Sequence, residues 1–565
     1  MTEEKKLNRR TFLRVSAFTL IAAALQACAP STATPKPVVQ PTKPPAPTAT
    51  PTKPPAPTAT PTKAGPVKGG TFTDVSFADA QTMQPLLASD TASFAYIDLV
   101  YGYLLRRDPK TLALVGDMAE SYIFSEDGMT LTVKLRKNLK WSDGKPITAA
   151  DFQFTWDKMM DEKVNYVYRA PRKENYESMT AIDDYTLVFK LKRIFCPAID
   201  YANIQPIPKH VFENLDINQN DFNTKPTVFS GPFRLQEWVK DSHAIFVASD
   251  SFHRGRPNLD KYIYKIVKDN TVATAMFKTQ EVDICTPDPV DWAEIKALPH
   301  AQGFEYYVIG AGWVYIGFKL DHPFFSDVRV RQALSHALDK QKLIEKIRLG
   351  FARPQYSFIH GANWAYTDDL PKYEFNPEKA KSLLKEAGWT PGADGILTKD
   401  GKPFKVRIFY NAGNKQREQI ATIAQQYFKD VGVSIEIQSE EWNAYLDRIR
   451  KTRDFEMFIL GWAGGADPHG QANIWSTGKA QNYIAYSNPT VDKLFEEAAA
   501  VKGCQQEDRK KIYVELQRII AQDAGYIFLF TNQNLVAVHN RMVVNPVTPL
   551  GIGYDLQDWY SKTGK

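Results

Sequence analysis

Ser382-Leu-Leu-Lys385 and Lys562-Thr-Gly564 are the fragments of this chain whose types and spacing could support nucleophilic chemistry, as the Ser-x-x-Lys and Lys-Thr-Gly of penicillin-binding proteins do. Their setting argues against it. Ser382 and Lys385 fall in an amphipathic helical pattern beside apolar Leu383, Ser-Asp-Asn is absent, and Lys562 stands at a C-terminal tail expected to fray. No Gly-x-Ser-x-Gly or His-Glu-x-x-His occurs, Gly551-Ile-Gly553 lacks the third glycine of a dinucleotide loop, and no Gly-Lys-Ser/Thr loop exists. The nine histidines are scattered, and His469, beside Asp467, reads as a turn residue in solvent rather than a metal ligand. No catalytic residue, metal or cofactor is expected.

Residues suited to holding a molecule, rather than transforming it, cluster in Gly461-Trp-Ala-Gly-Gly-Ala-Asp-Pro468. The Trp462 indole can stack on a ring while its N–H donates, or can simply be a core tryptophan after a strand over Phe455 to Leu460. Gly464 and Gly465 in the same stretch are candidates with it, and Asp467 is either a ligand carboxylate or an ordinary Asp-Pro turn element. Trp442 and Tyr445, in the polar-flanked Glu440-Glu-Trp-Asn-Ala-Tyr445, and Trp313 are further aromatic candidates.

Helix and strand signals alternate along the chain, the pattern of an α/β protein. Asn376-Pro377-Glu378 supplies an N-cap, an N1 proline and an acidic first turn, and Ala380, Leu383, Leu384 and Ala387 form one stripe that Gly388 ends. Asn488-Pro489 starts another helix in the same way, with Val491, Leu494, Phe495 and Ala498 inward. A helix from about Arg417 to Val431 gives way to a strand in which Val433, Ile435 and Ile437 alternate with polar residues. Thr130 to Leu135 alternates as a strand. Thr148 caps a helix with Phe152, Thr155, Trp156 and Met159 inward, and Asp151 at N3 closes a capping box.

The N-terminus is an address. Arg9-Arg10 precede an uncharged run from Val15 to Ala27, too short for a membrane span of about 20 residues, and Leu25-Gln26-Ala27-Cys28 is a lipobox-like close. Residues 1–27 are expected to be a signal peptide, twin-arginine-like although two arginines also serve a general export route, and Cys28 the lipidated first residue of the mature chain. From 28 to 66 the chain is mostly Pro, Thr, Ala and Lys, with Pro-Thr-Lys-Pro-Pro-Ala-Pro-Thr-Ala-Thr twice over, a disordered, semi-stiff stalk. The formal charge of +6 belongs to these ends: beyond residue 66 there remain 61 basic against 62 acidic residues, so no nucleic-acid partner is expected. Cys196, Cys285 and Cys504 show no metal spacing and read as buried apolar residues, with one optional disulfide left unplaced.

The run Leu131-Thr-Val-Lys-Leu-Arg-Lys-Asn-Leu-Lys-Trp-Ser-Asp-Gly-Lys-Pro-Ile-Thr-Ala-Ala-Asp-Phe152 resembles the signature of family 5 extracellular solute-binding proteins, the oligopeptide and dipeptide receptors of ABC importers. Gly231-Pro-Phe-Arg-Leu, Glu281-Val-Asp-Ile, Phe325-Ser-Asp-Val-Arg-Val-Arg-Gln-Ala-Leu, Gly461-Trp462 and Tyr486-Ser-Asn-Pro-Thr-Val-Asp follow in the family's order. The resemblance implies a periplasmic-binding-protein-like type II fold, two hinged lobes with mixed sheets plus an extra subdomain. Within a 67–565 body, lobe I takes about 68–113, 225–306 and 530–565, the subdomain about 114–224 and lobe II about 307–529. Strand crossovers are expected near Tyr307 to Lys319 and Gly525 to Val538. It also implies a lipid-anchored, extracytoplasmic monomer that captures an oligopeptide by hinge closure and delivers it to permease subunits, with an oligosaccharide or metal chelate as the alternative cargo. A secreted hydrolase or surface adhesin is the reading of another class. In peptide-binding relatives an Asp three residues after the tryptophan receives the peptide amine, and in the oligopeptide receptor an Arg lies three before it. This chain has Gly465 and Ile459 at those positions.

Overall fold

The computed structural model describes residues 65–564, apart from the side chains of Trp442 and Asn443. The leader, Cys28 and nearly all of the stalk lie outside the described residues.

Local sequence sets most of the elements. Thr148 and Asp151 close the capping box of the helix Ala149–Met160, with the Asp151 carboxylate accepting the Thr148 N–H at 3.0 Å. The expected inward residues Phe152, Thr155, Trp156 and Met159 are buried. Asn376 and Asn488 cap Pro377–Glu386 and Pro489–Ala499, each with proline in the first turn. The expected helix from Arg417 runs over Lys415–Lys429 and feeds the strand Ser434–Glu440. Two expectations are corrected. The strand placed at Phe455 to Leu460 runs over Met457–Trp462, which makes Trp462 its last residue. The C-terminus does not fray: Tyr560–Ser561 pairs with Met542–Val543, and the Lys562 amide donates to the Arg541 carbonyl at 2.8 Å.

Two large hydrophobic bodies result. The first joins a mixed sheet, ordered Thr71–Ser76, Lys261–Ile266, His243–Ala248 and Phe233–Val239, to an antiparallel sheet, ordered Ala119–Phe124, Thr130–Leu135, Thr186–Leu191 and Tyr176–Asp183. Phe72, Leu131, Phe152, Phe233 and Tyr262 share its core. A small three-stranded sheet of Ile284–Cys285, Asn534–His539 and Ala301–Tyr306 adjoins it, tied by the Asp283 carboxylate accepting the Thr73 N–H at 2.8 Å. The second body is a six-stranded sheet, ordered Ala352–Pro354, Tyr526–Asn532, Trp313–Phe318, Met457–Trp462, Lys405–Asn411 and Ser434–Glu440. Ile316, Ile408, Ile459 and Leu529 pack on one of its faces, Trp313, Tyr315, Phe458 and Phe528 on the other. Coverage on both faces is why the central strands read as unbroken apolar runs.

The chain passes between the small and the six-stranded sheet twice, from Ala301–Tyr306 to Trp313–Phe318 and from Tyr526–Asn532 through Gln533 to Asn534–His539. A third link is covalent. Cys196, on the first body, is disulfide-bonded to Cys504, 308 residues away beside the second. Around it the Cys196 amide donates to the Ala499 carbonyl at 2.7 Å and Arg193 pairs with Glu496. Cys285 is buried and free, and burial pushes its thiol up to about 12, which removes its reactivity at neutral pH.

Candidate functional site

Where the chain first crosses between the bodies, residues 307–312 run against the loop after Trp462 with no side chain between them. A Cβ at Gly312 would stand 1.8 Å from the Trp462 carbonyl oxygen, and one at Gly464 2.8 Å from that of Ala311. The Gly464 amide donates to the Gly310 carbonyl at 3.3 Å. Glycine is required at both close approaches. From the other side the Asn363 amide donates to the carbonyls of Gly465 and Ala466 at 2.9 and 3.2 Å, and the Trp364 indole to that of Ala466 at 3.1 Å. Ile309, Phe358, His360, Asn363, Gly464 and Gly465 bound a gap here of about 10 Å³, room for one water.

Trp462 is half-buried, not sunk in the core. Its N–H points to the Tyr526 hydroxyl at 3.3 Å, and its ring lies 5.3 Å from Tyr483 and stacks 6.4 Å from Tyr315. Trp313 and Tyr445 lie deeper: Trp313 is 1% exposed, and Tyr445 is fully buried with its hydroxyl donating to the Ile459 carbonyl at 2.7 Å. Both therefore support the sheet beneath Trp462. Trp442 begins the helix that carries Tyr445, and its side chain lies outside what is described.

Asp467 sits in a charged knot. Its carboxylate takes Arg509 with both oxygens, at 2.6 and 2.8 Å, and accepts the His469 N–H at 2.8 Å as cap of the short helix Pro468–Gln471. Arg509 also donates to the Ala498 carbonyl at 2.9 Å, and its guanidinium lies 5.3 Å from the Trp364 ring. Such a bidentate pair is directional and charge-matched, so an incoming ammonium would compete with a buried guanidinium for this carboxylate. His469 differs from the solvated turn residue expected from sequence. Its ring is enclosed between Phe195 and Phe495, at 5.4 and 6.3 Å, and burial pushes its pKa down to about 4. Among the described residues no cluster of His, Cys, Asp and Glu could hold a metal ion. The arrangement can present backbone amides and an indole to a guest, but it aligns no nucleophile with a base.

Arg509 and Asn363 are not foreseen from sequence, and the one optional disulfide is left without a pairing there, because each acts on residues more than 40 positions distant. Only the pairing of an acidic turn with a later basic helix position could have suggested the first.

This chain belongs to the bacterial extracellular solute-binding proteins, family 5, whose model matches residues 113–483. That is a family of binding receptors rather than enzymes. The chain is 30% identical over 512 residues to the oligopeptide-binding protein AppA of Bacillus subtilis, covering 88% of this chain and 92% of that one. It is 27% identical over 523 residues to the dipeptide-binding protein of Escherichia coli, covering 86% and 94%. The structure of Bacillus subtilis AppA in complex with a nonapeptide superposes with a TM-score of 0.75 at 30% identity, over 88% of this chain and 99% of that one. NikZ of Campylobacter jejuni in complex with Ni(L-His), at 22% identity and a TM-score of 0.76, shares the fold.

Proposed function

We propose that this receptor captures an oligopeptide between its two bodies and hands it to the permease of an ABC importer. What supports the reading is the pair of strand crossings, the first of them packed against the Trp462–Gly465 loop, together with the long alignment to a relative whose structure holds a nonapeptide. Contacts made by both bodies exist only when they are closed on the guest, so binding shifts the open–closed equilibrium by the difference in affinity between the two states. Trp462, Gly464 and Gly465 are the proposed contacts, Trp313 and Tyr445 their support. Asp467 fixes the loop through Arg509, and Trp442 is a further candidate contact. Lobe I takes about 68–113, 225–306 and 530–565, the subdomain about 114–224 and lobe II about 307–529. Cleavage before Cys28 and acylation of its sulfur would moor a monomeric body to the outer face of the membrane through the stalk, and the twin arginine fits export by the twin-arginine route.

Titration of the purified chain with a peptide library and an oligosaccharide panel, read as thermal stabilisation, tests this. Stabilisation grows as RT ln(1 + [L]/Kd), so a ligand at 100 times its Kd adds about 2.7 kcal/mol. Peptides that raise the melting temperature while sugars do not support the proposal, and the reverse result removes it.

A further inference from the structure

Resting on that reading of the receptor, we infer that a second cavity, walled by residues 159–205 together with Pro85, Phe94 and Tyr103, is a subsite for a carboxylate of the ligand, with Arg172 as its recognition group. The cavity has a volume of about 360 Å³, and Phe94, Tyr103, Tyr166, Tyr168 and Tyr201 form much of its wall. It lies near the Trp462–Asp467 loop: the ring of Tyr201, on its wall, is 5.6 Å from that of Phe195, which in turn lies 5.4 Å from His469, two residues after Asp467.

Arg172 is 8% exposed and has no carboxylate partner among the described residues. One Nη donates to the Tyr168 carbonyl at 3.2 Å. Among the described residues Nε is buried with no acceptor, and the second Nη makes no hydrogen bond. The ring centroids of Tyr166 and Tyr201 lie 5.5 and 5.8 Å from the guanidinium carbon. A guanidinium presents parallel N–H groups along its Nε–Nη2 edge that match the two oxygens of a carboxylate, and this edge is the one left unused. Asp200, the one carboxylate among the described residues of the wall, is already paired with Arg107. A buried cation without a counter-ion is costly, and an acidic guest would supply the missing partner while its apolar portion packs on the tyrosines. The anchoring chemistry is thus the opposite of amine capture by a carboxylate, in agreement with Gly465 and with the occupied Asp467.

Two sources can bring that carboxylate, a peptide's C-terminus or an acidic side chain. The probes are synthetic hexapeptide pairs differing in one group: a free C-terminus against its amide, and an internal Glu against Gln. Each is titrated calorimetrically into the full chain and into Arg172→Gln and Arg172→Lys variants. In the native protein the acidic member of one pair should bind at least tenfold more tightly than its neutral twin, and the pair that shows the gap names the source. The gap should vanish in Arg172→Gln and shrink in Arg172→Lys, which keeps the charge but loses the fork, while the neutral peptides bind all three proteins alike. Equal affinity of acid and neutral twins for the native protein overturns the subsite without any variant, and so does a gap that survives Arg172→Gln. If no hexapeptide binds the native protein at all, the peptide-receptor reading itself falls, an outcome distinct from either.

Discussion

Asp467 faces a cation of its own chain. Its turn role was readable from Asp-Pro, but its partner Arg509 stands 42 residues on in a different helix, and no local pattern joins them. Replacing Asp467 by Ala strands a guanidinium whose side chain is 4% exposed, a loss of about 3–5 kcal/mol. The expected outcome is a much lower melting temperature, with free and N-acetylated peptides weakened equally. A selective loss of the free peptides would restore Asp467 as the amine anchor. His469 was misread for the same reason, because the rings around it come from residues 195 and 495. Its pKa of about 4 in the fold, against about 6.5 when unfolded, means that the unfolded chain binds the extra proton first as pH falls. Stability from this group is therefore complete above pH 6.5, declines down to pH 4 and changes no further below, by at most about 3 kcal/mol. His469→Gln should flatten that part of a melting-temperature profile. Asp467, Glu496, Arg193 and Arg509 are its charged neighbours.

Elements with local instructions were the legible part. Caps at Thr148, Asn376 and Asn488, and the change of period after Lys429, depend on residues within one turn of each other. The end of the strand at Trp462 was missed by two residues, since the ladder opposite Trp313, and not apolar alternation, decides where it stops. The glycines at 310–312 and 461–465 were visible as letters, yet their use depends on two distant segments meeting. Gly312→Ala should force the Trp462 carbonyl aside, costing about 1–3 kcal/mol and weakening ligand binding. Gly310→Ala, with nothing within 4 Å of the added methyl, is the control. Melting curves and titrations of the pair check the prediction, and equal behaviour would show that the crossing does not position the loop.

At the scale of the molecule, family membership and fold were legible through six ordered motifs, whereas the covalent link between the bodies was not, because three unclustered cysteines carry no pairing rule. That link limits how far the clamp can swing. Reduction with dithiothreitol, or Cys196→Ser, should enlarge the unliganded molecule in solution scattering and speed ligand release about tenfold, equivalent to about 1.4 kcal/mol. An unchanged radius and release rate would show that the bodies keep their spacing without it. Residues 196 and 504 can meet only after both bodies have condensed, and the cytosol keeps thiols reduced, so the bond is a timestamp set beyond the cytosol. Molecules still awaiting export and those that have arrived differ by two hydrogen atoms, a difference that alkylation and mass spectrometry can count.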